Sequence, residues 1–250
     1  MVPIIMQFSD ELEFSHRDRK DIYEYIESHG ASRPKQVRQS LNMGERPFGH
    51  HAAILKRDGV LEEADGRLRI AFEAGTEEEF EAEDVEFAIR QAREEDLTGL
   101  VGAIRQAIGG GAYVDAETVA DVVDSEGVLL RHNELESRIF FVATVDGEVV
   151  GWVHLKHPES EKLAHTAELT VGVLDQYRDG GLGSTLMERG LDWARSAGVQ
   201  KVYQNLPETN EPAISFLEAN GWTVESTRDG HYRVDDELVD EVQLAVWLED

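Results

Sequence analysis

The chain contains no cysteine, which at once excludes disulfides, thiolate zinc sites and cysteine nucleophiles. It also has no apolar run approaching the roughly 20 residues that a membrane-spanning helix needs. Residues 1–9 are apolar in patches, but no basic stretch precedes them and no small-residue cleavage site follows. A cytoplasmic protein with no membrane partner is the expectation. Lysine is scarce too: Lys20, Lys35, Lys56, Lys156, Lys162 and Lys201 are the only lysines among 24 basic residues.

Acid is what the chain has in excess. With 51 acidic residues its formal net charge is −27, and self-repulsion of that size destabilises a compact state in dilute buffer. High salt relieves it, because the Debye length shrinks to about 3 Å at 1 M. Acid excess with arginine preferred over lysine resembles the proteome bias of extreme halophiles, of the haloarchaeal type. An ordinary acidic protein is the alternative.

At 250 residues the chain is long enough for two domains with proper cores. The charge divides in the same way: residues 1–72 hold 11 basic and 12 acidic side chains, a net of −1, which leaves −26 for the rest. The acidic run at 73–84, broken by Gly75, reads as a solvated linker between a domain at 1–72 and one at 85–250.

In the first part, Ser15 can cap a helix carrying Ile22, Tyr25, Ile26 and His29 on one side and ending at Gly30. A second helix starts near Ser32 and Pro34, and a third near Pro47 carries Phe48, Ala52, Ile54 and Leu55. Two short strands follow at 60–63 and 67–72, joined at Asp65-Gly66. This order resembles a winged helix-turn-helix, whose third helix enters the DNA major groove. Between 33 and 57 lie Arg33, Lys35, Arg38, Arg46, Lys56 and Arg57, opposed only by Glu45. Arg67 and Arg69 extend the patch, so duplex DNA is the partner expected for residues 33–69. The alternative is a domain for dimerisation or substrate capture whose arginines are simply solvated. His50 and His51 have no carboxylate or cysteine at metal spacing and read as surface or groove residues, with no metal expected.

The second part alternates strands and helices, which argues for an α/β sheet covered by helices. A strand at 85–91 and a helix at 94–108 lead to the break at Gly109, Gly110 and Gly111, followed by a short helix at 117–123. A hairpin at 139–157 comes next, then a strand at 164–174 and a helix from Ser184. Between them, Arg178, Asp179, Gly180, Gly181, Leu182 and Gly183 fit R-x-x-G-x-G, a spacing that lets backbone N–H groups and a helix N-terminus hold a pyrophosphate. No G-K-[ST] follows the loop, and no acidic ribose-binding residue closes a second strand, so triphosphate and dinucleotide readings fail.

Val171-Gly172-Val173 precedes that loop, Asn210, Ala213, Phe216 and Gly221-Trp222 follow it, and Asp240 to Leu244 resembles a D-x-x-x-M segment. With these motifs in order, the second part resembles the GNAT superfamily of N-acetyltransferases. The resemblance implies an acyl-CoA N-acyltransferase fold with an α/β mixed sheet, and acetyl-CoA as co-substrate without a metal. It implies coenzyme A held by Val171, Gly172, Val173, Arg178, Asp179, Gly180, Gly181, Leu182, Gly183, Ser184 and Asn210. It also implies direct transfer to an amine, with the N–H of Val173 or Val171 polarising the thioester carbonyl. Glu168 stands where some members carry a general base, with His165 as its rival. Leu217 departs from the pattern, since most members place there the tyrosine that protonates the leaving thiolate. Tyr177, Tyr203, Tyr232 or water could substitute. The expected partners are acetyl-CoA, an amine acceptor that the sequence does not identify, duplex DNA, and a second copy of the chain. An acetyl-CoA-sensing, DNA-binding regulator is the alternative to an enzyme.

Overall fold

The computed structural model describes residues 16–57, 60–64, 66–70, 78–82, 85–108, 113–132, 136–158, 160 and 162–248. Ser15, Gly59, Asp65, the break at 109–111 and the stretch 73–77 lie outside these residues.

Helices α1 (Arg17–His29), α2 (Pro34–Ser40) and α3 (Glu45–Arg57) precede a hairpin of β1 (Leu61–Ala64) and β2 (Arg67–Ile70). His16 caps α1, its Nδ1 accepting the Asp18 N–H at 3.1 Å from an extended backbone. Proline opens α2, where its missing N–H leaves nothing unsatisfied. The face that α1 buries is Ile22, Tyr23 and Ile26, packed on Val37, Phe48, Ala52, Leu55, Leu61 and Leu68. Tyr25 and His29, expected on that face, instead stack on each other at its edge, 4.1 Å between ring centroids. His51, expected at the surface, is buried, whereas its neighbour His50 is exposed. Ser32 exchanges backbone hydrogen bonds of 2.9 Å with Leu68, which adds a third extended segment beside β2.

The remaining elements are β3 (Glu78–Ala82), β4 (Val85–Gln91), α4 (Leu97–Ala107), α5 (Val114–Glu126), β5 (Arg131–His132), β6 (Glu136–Val145), β7 (Glu148–Pro158), β8 (Thr166–Val173), α6 (Leu182–Ser196), β9 (Lys201–Pro207), α7 (Glu211–Ala219), β10 (Thr223–Val234) and β11 (Glu237–Trp247). Among the described residues they form one mixed sheet in the order β10-β11-β9-β8-β7-β6-β4-β3, with β5 beside β6. Residues 78–82, read from sequence as part of a linker, are its edge strand. Phe80 stacks on Phe87 with centroids 5.5 Å apart, while Glu78 and Glu79 stay exposed. The density of charge hid a strand held by one inward aromatic.

Helices cover both faces of the sheet. On one face, Leu182, Leu186, Met187, Leu191 and Ala194 of α6 and Leu217 of α7 pack over Val153, Leu155, Ala167, Leu169 and Val171. On the other, Leu100, Val101 and Ile104 of α4 and Ala116, Ala120 and Val123 of α5 close over Phe140, Val142 and Trp152. Among the described residues no helix is long and apolar enough to cross a membrane.

Candidate active site

One place in the sheet is left open. Strands β8 and β9 are parallel neighbours, but they pair only at Thr166↔Lys201, Ala167↔Val202 and Glu168↔Tyr203. Beyond those pairs β8 stays with β7 as far as Val173↔Gly151, and β9 stays with β11 as far as Pro207↔Glu241. The two strands therefore part like a V whose apex is at Glu168 and Tyr203. The Leu174 N–H bonds Val150 O on the β7 side at 2.9 Å. Because backbone groups alternate from edge to edge along a strand, those of Val171 and Val173 face the opening.

A cavity of about 400 Å³ occupies the opening, lined by Val171, Gly172 and Val173 of β8, by Arg178, Asp179, Gly181, Gly183 and Ser184, and by Gln204, Ala213, Phe216 and Leu217 among others. Gly181 is the N-cap of α6 with φ +83°, and Asp179 has φ +67°, so the loop turns through two left-handed residues before the helix begins. The first-turn N–H groups of α6 have no partner within the helix and carry the positive end of its dipole to the cavity wall. Arg178 Nε donates to Val173 O at 2.9 Å, and an Nη lies 2.9 Å from Asp175 Oδ1. The arginine thus ties the loop to the end of β8. Its exposed partner Asp175 holds it weakly, and the guanidinium can turn to an incoming anion.

The structure brings together most of the residues expected to hold a cofactor, and it gives three of them another place. Asn210 is buried and caps α7, its Oδ1 accepting the Ala213 N–H at 3.3 Å. Leu182 is buried in the core beneath α6, and Gly180 is not among the lining residues. Gly172 also has a packing role, since a Cβ there would stand 2.3 Å from Cη2 of the fully buried Trp152.

Glu168 is exposed and alternates with Ala167 and Leu169, so it projects from the face that α5 covers. On that face a set of side chains far apart in sequence converges. The Tyr232 hydroxyl lies 3.0 Å from Glu241 Oε2 and 3.2 Å from Asp115 Oδ1. Arg228 Nε donates to Glu241 Oε1 at 2.6 Å, and His231 Nε2 stands 3.2 Å from Oε2. Burial pushes the Asp115 carboxyl above the usual range; the Tyr232 hydrogen bond opposes this, and the charges of Glu241 and Glu168 add to it. Burial, reinforced by both carboxylates, also drives the Tyr232 phenol well above its ordinary value. Of the tyrosines considered as stand-ins for a residue at 217, Tyr232 is therefore held firmly protonated as a hydrogen-bond donor. His165 lies before β8 begins, where its carbonyl accepts from Gln200 and Lys201 at 2.9 and 3.1 Å. Leu217 lies on the cavity wall and offers no proton.

Three lining residues have no site role in the sequence reading: Pro212 in the first turn of α7, and two with polar side chains. Tyr113, just ahead of α5, carries the only hydroxyphenyl ring among the lining residues. Gln204 is the first residue of β9 past the last pair with β8, and its buried Oε1 has no hydrogen-bond partner among the described residues. No pattern signals either one: a glutamine between two strand residues is unremarkable until its neighbouring strand is seen to leave.

Residues 112–222 match the Acetyltransferase (GNAT) family. Among curated proteins, the chain is similar to an N-alpha-acetyltransferase of Sulfurisphaera tokodaii, at 34% identity over 104 residues, or 37% of this chain and 61% of that one. It is also similar to a mycothiol acetyltransferase of Corynebacterium glutamicum, at 37% identity over 82 residues, covering 32% of this chain and 26% of the relative. The chain thus spans about three-fifths of the first relative's length and about a quarter of the second's. Among solved structures, yncA from Salmonella typhimurium, determined with its cofactor acetyl-CoA, superposes with a TM-score of 0.53 at 19% identity, over 66% of this chain and 95% of that one. A GCN5-related N-acetyltransferase from Kribbella flavida gives 0.54 at 22% identity, over 65% and 98%. At these identities the likeness is one of fold.

Proposed function

We propose that residues 85–250 act as a GNAT-type N-acetyltransferase that moves acetyl from acetyl-CoA directly to the α-amino group of a protein or peptide. The observation that carries the reading is the V-shaped opening, with Val171 and Val173 on one edge and the start of α6 at its mouth, inside the segment that matches the family. The name of the Sulfurisphaera tokodaii relative favours an α-amine, and the carboxylates on the α5 face suit an approaching ammonium.

Acetyl-CoA supplies the activated acyl group and a thiolate that leaves readily. The first-turn N–H groups of α6, with Arg178, would hold the pyrophosphate. The N–H of Val171 or Val173 would donate to the thioester oxygen as it gains charge. Glu168, at the apex on the acceptor side, would take the proton from the ammonium or the attacking amine. Tyr113, the hydroxyphenyl ring among the lining residues, would protonate the departing sulfur, which Leu217 cannot do. Gln204 Oε1 is suited to accept a pantetheine amide N–H, because leaving a buried acceptor unsatisfied costs about 1–3 kcal/mol.

The test is thiol release from acetyl-CoA with a panel of N-terminal peptides in molar KCl, where turnover is expected. Gln204→Leu should raise the Kd for coenzyme A by about tenfold, the equivalent of ~1.4 kcal/mol. It should leave adenosine 3′,5′-bisphosphate, which has no pantetheine arm, bound as before. Equal loss for both ligands would remove Gln204 from the pantetheine path.

A second reading, in which the first 72 residues form a winged helix that binds duplex DNA, is favoured by one observation. Arg33, Lys35, Arg38 and Arg46 across α2 and α3 have no ion-pair partner among the described residues, whereas Lys56 and Arg69 each pair with a glutamate at 2.5 Å. Four cations with no ion-pair partner among the described residues suit phosphates. Arg38→Glu with Arg46→Glu is expected to abolish duplex binding at modest salt, measured by fluorescence anisotropy. A wild-type chain that binds no genomic fragment would sink this reading. Coenzyme binding without thiol release from any acceptor, together with DNA binding, would make the protein a sensor.

A further inference from the structure

We propose that His16, Asp18 and His51 form a binding site for a divalent transition metal ion of the Zn²⁺ class, which fastens the start of α1 to α3. Residue types and spacing along the chain conceal it, since the two histidines are separated by most of the N-terminal module. The fold brings one potential ligand atom from each side chain within 4.8 Å of the others.

The separations favour a shared ion over direct contact. His51 Nε2 lies 3.4 Å from Asp18 Oδ2, and His16 Nδ1 lies 3.8 Å from the same oxygen. Both are too long for a good hydrogen bond, which for these atoms falls near 2.7–3.2 Å. A tetrahedral ion with bonds of about 2.0–2.1 Å holds its ligand atoms about 3.4 Å apart. One edge of such a site is therefore already present, and small side-chain rotations close the others. The two imidazole rings face each other with centroids 4.4 Å apart; the lone pair of His16 Nδ1 now accepts the Asp18 N–H, so ligation through that atom exchanges the cap bond for a bond to the ion.

The donor set also selects the ion. Two imidazoles and one carboxylate suit Zn²⁺, Co²⁺ or Ni²⁺, whereas Mg²⁺ and Ca²⁺ seek oxygen ligands. His51 is buried, Asp18 is half-buried and His16 is exposed, so the site is closed on the protein side and open to solvent where water can complete the coordination sphere. The position gives the ion a structural task. Among the described residues the module's core is nine buried side chains, and a core of this size leaves a small domain marginal. An ion that binds only the folded form would stabilise it through mass action and would fix the helix that carries Arg46.

The full-length chain, treated with a chelator, would be titrated with Co²⁺ and Zn²⁺ in molar KCl containing excess Mg²⁺ to occupy surface carboxylates. The expected result is one ion per chain, visible d–d absorption in the Co²⁺ form, and a Zn²⁺-dependent rise in Tm of roughly 4 °C or more. His16→Ala and Asp18→Asn, both at accessible positions that need not disturb the core, should each weaken binding about tenfold or more and remove the Tm shift. His51→Ala should do the same, with circular dichroism reporting whether it still folds. Absence of the Co²⁺ band, or binding unchanged in both surface variants, would reduce the cluster to a histidine–aspartate pair and overturn the proposal.

Discussion

Gly181→Glu is expected to abolish coenzyme A binding, with a Kd raised at least about 100-fold, while Gly181→Ala keeps most of it. The two substitutions share a backbone cost and differ in charge. Gly181 has φ +83°, where any L-residue is strained by about 1–2 kcal/mol. No atom lies within 4 Å of the position a Cβ would take, so the strain has no steric addition. It is present with or without ligand, and in the alanine variant it should appear as a lower Tm rather than as lost affinity. Glutamate adds a carboxylate on the cavity wall at the positive end of α6, where a pyrophosphate would lie. Salt screens charges separated by more than a Debye length, but at molar KCl that length is still about 3 Å and repulsion at contact persists. A loss of ~2.7 kcal/mol corresponds to the 100-fold change. Calorimetry in molar KCl separates the cases. If the glutamate variant binds coenzyme A like the wild type, the start of α6 is not the cradle.

What the sequence could tell about this site depended on distance along the chain. The loop at 178–183 and the helix after it are contiguous, so glycine spacing and the break in periodicity identify them together. The opening itself has no local signal. Strands β8 and β9 are each ordinary alternating strands, and that they part after Glu168 and Tyr203 is a property of the pair. Gln204 takes its meaning from that parting. Asp115 and Tyr232 meet across 117 residues, beyond the reach of any motif. The edge strand β3 was misread for a different reason: charge density outweighed the one aromatic that sets its register. Asn210, expected from the family pattern to help hold coenzyme A, caps α7, which is what an asparagine ahead of Glu211-Pro212 does by itself. The buried His51 shows the limit of residue-type reasoning, since a helix face is decided by what packs on it.

Glu168→Gln is expected to lower kcat/KM by about 10²–10³-fold with acetyl-CoA affinity unchanged, because the proposed base sits at the apex of the opening and is not among the cavity-lining residues. Asp115 offers the informative contrast. Its folded-state pKa is raised, so the native chain binds that proton more tightly than the unfolded chain does. Its ionisation therefore opposes folding: the cost is absent below the unfolded value, grows as pH rises toward the raised folded value, and is complete above it. Asparagine keeps an oxygen for the Tyr232 hydroxyl and removes the charge facing Glu168 and Glu241. Asp115→Asn should thus leave the fold as stable as the wild type or more so at neutral pH, with the difference fading as the solution is acidified. It should also keep kcat/KM within a few-fold of the wild type, because Glu168 is untouched. If Asp115 were itself the base, the same variant would lose activity as Glu168→Gln is expected to. Rates of the two variants side by side assign the proton acceptor, because a carboxylate that only neighbours the base can be neutralised without loss of turnover, whereas the one that takes the proton cannot.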